Sequence, residues 1–335
     1  MRGCWLALLA PHPAQGAGTL RFVEVRYLKI AVVTPTNDHA VLLREAIESV
    51  PLDEGVEVEH LIVHDGSAAY LSWVEHEYPH VRVIHGEDNG SGAAAALGLR
   101  SAKADFLIQL NSDDRLVRGS FRQLALQAHA KPEVEIWSGG TRLFQFHEGG
   151  EERVLRVLAS PAVTSLTVPN ILDDLPQFSG RFVRQEVFQK IGVQSPQFED
   201  CNDRELLLRA IFAGIVEAPL QCMVSEVRVH PQSHSMKGDR KRVAAYLSAH
   251  LVLADYWLER GDLLPPRALG QIRNWRAREL LRLSFYQLSS CGLRDNIKRL
   301  FHELRRMPSW PLRAMTIVPA MLRRRRSAPR DLVDR

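Results

Sequence analysis

Apolar residues in the first third of the chain come in short bursts, each closed by polar or turn-forming residues. "LKIAVVT" at 28–34 is a continuous apolar run ended by Pro35, the pattern of a strand buried on both faces. "VLLREAIESV" then places Leu42, Leu43, Ala46, Ile47 and Val50 on one helical face. Further bursts at 58–66 ("VEHLIVHDG"), 81–86 ("VRVIHG") and 105–114 ("DFLIQLNSDD") read as strands, with helical segments between several of them. This alternation predicts an α/β fold, a mostly parallel sheet flanked by helices. Ligands of such sheets bind beyond the carboxyl ends of the strands.

Those ends carry polar clusters: Thr34-Pro35-Thr36, Asp65-Gly66-Ser67, Glu87-Asp88-Asn89-Gly90, and Asn111 to Asp114. One Asp-Gly after a strand is an ordinary turn, whereas four polar strand ends on one edge point to a site. The last cluster poses a specific problem. Asp113 and Asp114 repel each other, and neither carboxylate belongs in an apolar core without a partner. A bound cation removes the difficulty. Neighbouring side chains at a strand end point to opposite sides, so one carboxylate can face a ribose and the other a divalent ion. Mg²⁺ and Mn²⁺ favour a few carboxylate oxygens completed by phosphate and water.

From about 134 onward the bursts shorten. "VEIWSGG", "TRLFQF" and "RVLRVL" read as separate strands, with Gly149-Gly150 as a turn. "FSGRFVRQEVFQKIG" is a strand running into a helix stopped by Gly192. "NDRELLLRAIFAG" is a helix with Asn202 or Asp203 as N-cap and Gly214 at its end. Residues 240–306, rich in Ala, Leu, Arg and Glu at helical spacing, predict a helical appendage. The expected division is a poorly ordered leader at 1–27, a nucleotide-binding domain at 28–238, the appendage at 239–307 and a basic tail at 308–335.

"KIAVVTPTNDHAVLLREAIESV", "LIVHDGSA", "DFLIQLNSDDRLVRGSF" and "FVRQEVFQKIG", followed by "NDRELLLRA", resemble the family 2 inverting glycosyltransferases of the GT-A fold. The resemblance runs from about Lys29 to about Ser235, and "LNSDD" is its most specific piece. It implies transfer of a sugar from a nucleotide diphosphate sugar (UDP, dTDP or GDP) to an acceptor hydroxyl. It further implies Asp114 as ligand of Mg²⁺ or Mn²⁺ and Asp113 as a ribose or metal-shell contact beside Asn111. Asp65 would contact the base, while Thr34, Pro35 and Thr36 line the nucleotide pocket and Asp88 and Gly90 approach the nucleotide. His230 falls where relatives carry a histidine near the diphosphate, where a neutral imidazole would complete the metal shell or contact phosphate, and Ser233 and Ser235 lie close by in sequence.

The reaction needs a base for the acceptor proton. Counting back from "ELLLRA" gives Asp203, and counting from "FED" gives Asp200. Both lie near the start of a helix, where the dipole favours a carboxylate. Arg181 and Arg184 are expected on the acceptor side or in local ion pairs. Two departures from the family pattern stand out. Asn37 replaces the aromatic residue expected after "TPT", and Ala93, Ala96 and Leu97 occupy a helix face that is polar in relatives. The second departure keeps a non-catalytic nucleotide-sugar or glycan-binding scaffold as the alternative.

Charge narrows the partners. The net charge is +4, but residues 296–335 alone carry eleven Lys and Arg against three Asp and Glu, which leaves the rest of the chain acidic. The body therefore offers no general nucleic-acid surface. The tail, "WPLRAMTIVPAMLRRRRSAPR", suits an anionic membrane surface next to a glycan or lipid-linked acceptor, as in cell-surface polysaccharide synthesis. Its apolar run is too short to span a bilayer. Four scattered cysteines fit a reducing compartment, so the expected location is cytoplasmic, peripheral on the inner face of the plasma membrane. A nucleotidyltransferase or a dinucleotide oxidoreductase is disfavoured. "TPTNDHAVL" has neither the glycines nor the basic residue of a phosphate loop, and no G-x-G-x-x-G follows the first strand.

Overall fold

The apolar bursts become the centre of one large sheet. The computed structural model describes residues 4–7, 22–25, 27–36, 40–52, 55–64, 71–86, 90–147, 150–173, 178–230, 240–287, 298, 301–303, 305, 308–309 and 311–312. Its first elements are β1 (Cys4–Ala7), β2 (Phe22–Val25), β3 (Leu28–Thr36), α1 (Ala40–Ser49), β4 (Val56–His64), α2 (Ser72–Glu77) and β5 (Val81–His85). Next come α3 (Ser91–Ser101), β6 (Phe106–Gln109), β7 (Arg115–Leu116), α4 (Ser120–Ala130), β8 (Ile136–Phe146) and β9 (Glu152–Leu158). The order continues with α5 (Pro161–Thr164), α6 (Val168–Asp173), β10 (Arg181–Arg184), α7 (Gln185–Ile191) and a 3-10 helix at Pro196–Cys201. The last are α8 (Asn202–Phe212), β11 (Glu217–Arg228), α9 (Arg240–Glu259) and α10 (Pro266–Gln287).

The strand order is β5-β4-β3-β6-β10-β8-β11-β7, with β9 added on β8. β5, β4, β3 and β6 are mutually parallel, as are β8 and β11, while β10 runs antiparallel between the two groups. β3 lies within the parallel group, and Ile30, Ala31, Val32 and Val33 are all fully buried. Alternation along it feeds two cores. Ala31 and Val33 join Leu61, Val63, Leu107 and Leu207, and Ile30 and Val32 join Phe106, Ile108, Phe121 and Leu124. A strand between two helical layers must be apolar at every position, which is why the run looked continuous in sequence.

Three features differ from the sequence reading. "VEIWSGG" and "TRLFQF" form a single strand, β8, because Gly139 and Gly140 let β11 and its Val224 and Met223 side chains approach closely. β11 was not anticipated. Its alternation of Ala218, Leu220, Cys222 and Val224 toward one core is a strand pattern. Residues 4–7 and 22–25, inside the expected leader, pair as a two-stranded antiparallel sheet.

The helices α9 and α10 pack on the sheet domain as part of its core. Leu253, Ala254, Trp257, Ile272 and Trp275 belong to the same buried cluster as Val33, Leu206 and Phe198. The appendage therefore shares the main core and forms a wall on the site described next.

Candidate active site

The chain turns sharply at the end of β6. Asp114 N donates to the carbonyl of Asn111 at 3.1 Å, so residues 111–114 form a tight turn, with the strand ending earlier at Gln109. The two carboxylates then diverge. Asp114 is 2% exposed, with Oδ1 accepting from the backbone N–H of Arg228 at 2.9 Å and Oδ2 from Asn111 Nδ2 at 2.9 Å. Burial first, and the Asp113 carboxylate second, raise the Asp114 carboxyl well above its usual range. Asp113 is more open, and its Oδ2 lies 3.0 Å from His230 Nε2. His230 lies two residues beyond the end of β11, and that strand delivers it to the acidic turn.

Arg228 ties this corner together. Besides its backbone bond to Asp114, its Nε donates to the Asp113 carbonyl at 3.0 Å and its Nη2 pairs with Glu45 of α1. The guanidinium packs on the edge-to-face pair Phe144 and Phe146, about 5 Å from each centroid.

A line of amides connects the turn to the far side of a cavity of about 470 Å³. Asn111 Oδ1 accepts from Gln109 Nε2 at 3.0 Å, and Gln109 Oε1 accepts from Gln194 Nε2 at 2.6 Å. Gln194 Nε2 also donates to Asp203 Oδ1 at 3.2 Å. Asp114, Asn111, Gln109, Gln194 and Asp203 thus form one continuous hydrogen-bonded chain. Gln109 and Gln194 were not singled out in sequence, because isolated glutamines carry no motif.

Asp203 lines the cavity from the first turn of α8. Burial pushes its carboxyl up to about 6, against the lowering effect of the Gln194 bond and then of Arg204. Neither Asn202 nor Asp203 caps the helix. The 3-10 helix runs straight into α8, Cys201 takes the cap position, and no side chain makes a capping bond. The Asp203 side chain is thereby released from the capping role the sequence allowed it. Asp200, the alternative, is an exposed residue of the 3-10 helix and also lines the cavity.

Pro35, Asn111, Ser91 and Gly92 line the same cavity. Thr34 is fully buried, its hydroxyl 2.9 Å from His60 Nε2, and burial lowers that imidazole to about 3. Thr36 is buried next to the cavity-lining Pro35, with its hydroxyl lacking a hydrogen-bond partner among the described residues. Gly90 has φ 90° and sits against the Glu199 carboxylate, so a side chain there would be both strained and blocked. Asp65, Asp88, Asn37, Ser233 and Ser235 lie outside the described residues.

The alanines of α3 have a packing reason. Ala94, Ala95 and Ala96 are buried, and Gly98 lies directly on Val33 and Val63. Small residues let α3 settle close to β3 and β4. Of the three positions that depart from the family pattern, Ala96 is buried in this packing, while Ala93 and Leu97 are half-buried, Leu97 against the core that holds Val33. Arg181 and Arg184 do not reach the cavity. Arg181 is buried with Ser138, and Arg184 donates to the carbonyls of Val134 and Pro132.

Among the described residues, no group of three or more His, Cys, Asp and Glu side chains stands in a metal-binding arrangement. None of the described helices is long and apolar enough to cross a membrane.

A mixed α/β sheet whose strand ends meet one cavity, lined by Asn111 of the acidic turn and by the half-buried Asp203, is the architecture of a GT-A nucleotide-sugar transferase. Residues 31–192 match the model of glycosyl transferase family 2, so the chain carries a glycosyltransferase domain over that segment. Solved structures with the same fold include S. aureus TarS 1–349 in complex with UDP. That match has TM-score 0.51 and 14% identity and covers 83% of this chain and 92% of that one. The TarS complex with UDP-GlcNAc gives 0.50 and 12%, covering 77% and 84%. The mannosyltransferase PcManGT from Pyrobaculum calidifontis, in complex with GDP-Man and Mn2+, gives 0.50 and 13% and covers 87% of each chain. No curated protein matches the chain.

Proposed function

We propose that this glycosyltransferase carries out a metal-dependent, inverting transfer of a sugar from a nucleotide diphosphate sugar to an acceptor hydroxyl, in the synthesis of cell-surface polysaccharide or glycolipid. The observation that carries this reading is the hydrogen-bonded chain from Asp114 to Asp203. It holds an acidic turn suited to a cation and a carboxylate suited to a base in one rigid frame.

The residues fit a divalent cation. Asp113 and His230 present a carboxylate oxygen and an imidazole nitrogen 3.0 Å apart. Two protein ligands suffice for Mg²⁺ or Mn²⁺ when phosphate oxygens and water complete the shell. Asp114, the metal ligand that the resemblance implies, accepts one bond on each oxygen, from Arg228 and Asn111, which anchors the turn and leaves each oxygen a further lone pair for the cation. The cation, when bound, would offset the charge of the departing diphosphate.

Asp203 receives the proton of the acceptor hydroxyl. A carboxyl at about 6 is ionised at neutral pH, yet closer in pKa to an incoming proton than an ordinary aspartate. A single displacement with this base inverts the configuration at the sugar carbon. Pro35, Asn111 and the buried Thr36 hydroxyl lie where the nucleotide would bind, with Asp65, Asp88 and Gly90 as further contacts. The donors to test are those of UDP, dTDP and GDP. The tail at 308–335 would hold the enzyme at an anionic membrane beside a lipid-linked acceptor.

Nucleotide release from UDP-GlcNAc, GDP-mannose and dTDP-glucose, with and without Mn²⁺, is the direct test. One donor should be turned over in the presence of metal, and Asp203→Asn should reduce that turnover at least about 100-fold. Metal-independent turnover, or full activity in Asp203→Asn, would refute the mechanism.

A further inference from the structure

The cavity wall beyond Asp203 comes from α9 and α10, whose cavity-facing residues repeat a pattern. Arg242 and Tyr246 stand four residues apart on α9, and Arg282 and Tyr286 stand four apart on α10. All four line the cavity. Residues four apart on a helix lie on one face, so each helix offers an arginine and a tyrosine side by side. One turn further along α9, His250 Nδ1 meets Glu279 Oε2 of α10 at 2.9 Å, which fixes the two stripes against each other.

Arg282 is held from behind. Its Nη1 donates to both oxygens of Glu279, at 3.1 and 2.9 Å, and Glu279 is fully buried. The Arg282 side chain nevertheless keeps 40% exposure. A guanidinium with one nitrogen fixed and the rest of its fork open is pre-organised for a carboxylate or phosphate. Tyrosine rings next to it are flat, partly apolar surfaces of the kind on which a sugar ring rests.

Given the proposed nucleotide-sugar site, we infer that the α9–α10 wall is the acceptor subsite, and that it takes a saccharide or polyol chain bearing an anionic group, carboxylate or phosphate. The donor diphosphate belongs at the strand edge near Asp113 and His230. Arg242 and Arg282 come from helices outside the matched family segment and meet the cavity on the wall that α9 and α10 build. The acids on the same cavity come from the 3-10 helix (Glu199 and Asp200) and from α8 (Asp203, next to the buried Arg204), whereas the charged lining residues of α9 and α10 are the arginines Arg242 and Arg282.

The test is calorimetric binding to the full chain, saturated with Mn²⁺ and whichever of UDP or GDP binds. Three probes separate the sources of charge: a glucuronate-containing hyaluronan tetrasaccharide, a glycerol phosphate trimer, and neutral chitotetraose. One anionic probe should bind at least about tenfold more tightly than chitotetraose, with the advantage shrinking as salt is raised. Which probe wins identifies carboxylate or phosphate. Arg242→Gln and Arg282→Ala should each remove about tenfold of that affinity while nucleotide affinity stays within about twofold. Arg242→Gln leaves the Glu279 cluster intact, so the prediction stands even where Arg282→Ala fails to fold.

Equal affinity for neutral and anionic probes, or nucleotide binding with no probe bound, would overturn the inference. So would a loss of nucleotide affinity in the arginine variants, which would assign both arginines to the donor. A protein that binds no nucleotide at all would remove the functional reading itself, and the acceptor subsite with it.

Discussion

Gln194 donates through one nitrogen to Asp203 Oδ1 at 3.2 Å and to Gln109 Oε1 at 2.6 Å, and so joins the carboxylate on α8 to the tip of β6. The bond to Asp203 favours the ionised carboxylate and opposes the effect of burial. Gln194→Leu should therefore move the Asp203 carboxyl above about 6 and shift the acid limb of the pH–rate profile to higher pH. A structural role alone would lower the rate without moving that limb.

Asp203 should gate activity between acid and neutral pH. The base must be ionised, so kcat should rise with pH through about 6 and level off above it. A profile already flat at pH 5 would assign the proton to another group.

The same carboxyl has a cost in stability. Its folded value of about 6 lies above the unfolded value, so folding favours the protonated form. Stability from this group is fully present below the unfolded value and is lost as pH rises through about 6. Asp203→Asn should then stabilise the protein at pH 8 by about 1–3 kcal/mol, with little gain near pH 4. Thermal melts at the two pH values check this. Higher stability together with lost transfer would mark Asp203 as a functional residue held at the expense of the fold.

Arg228→Met should damage the acidic turn. It removes the side-chain bond to the Asp113 carbonyl and the pair with Glu45 while keeping apolar contact with Phe144 and Phe146. A loss of about 2–4 kcal/mol in unfolding free energy is expected, since a buried charged partner is deleted. Metal-dependent nucleotide affinity should fall more than in a surface control such as Arg100→Met.

The parallel half of the sheet was legible because strands buried on both faces must be continuously apolar, and "LKIAVVT", "HLIVH" and "DFLIQL" are. The acidic turn was legible because two adjacent carboxylates have no place in a core. What was not legible came from residues whose role depends on long-range contact. Gln194 meets Gln109 across 85 positions, and Arg228 meets Asp114 across 114. β11 was hidden by the weak apolarity of "EAPLQCMVSEVR", although it brings both Arg228 and His230 to the site. Gly139 and Gly140 were read as a break, but there they admit β11 against β8. The N-cap expectation at α8 failed because a 3-10 helix enters it without the extended residue that a cap requires.

The cation-assisted nucleotide site proposed here is built on Asp113 and His230. Calorimetric titration of UDP and GDP into wild type, Asp113→Asn and His230→Ala, each with and without Mn²⁺, tests it most directly. One nucleotide should bind wild type in a metal-dependent manner, and each substitution should weaken that binding at least about tenfold. Undiminished metal-dependent binding in both variants, or no binding of either nucleotide to wild type, would contradict it.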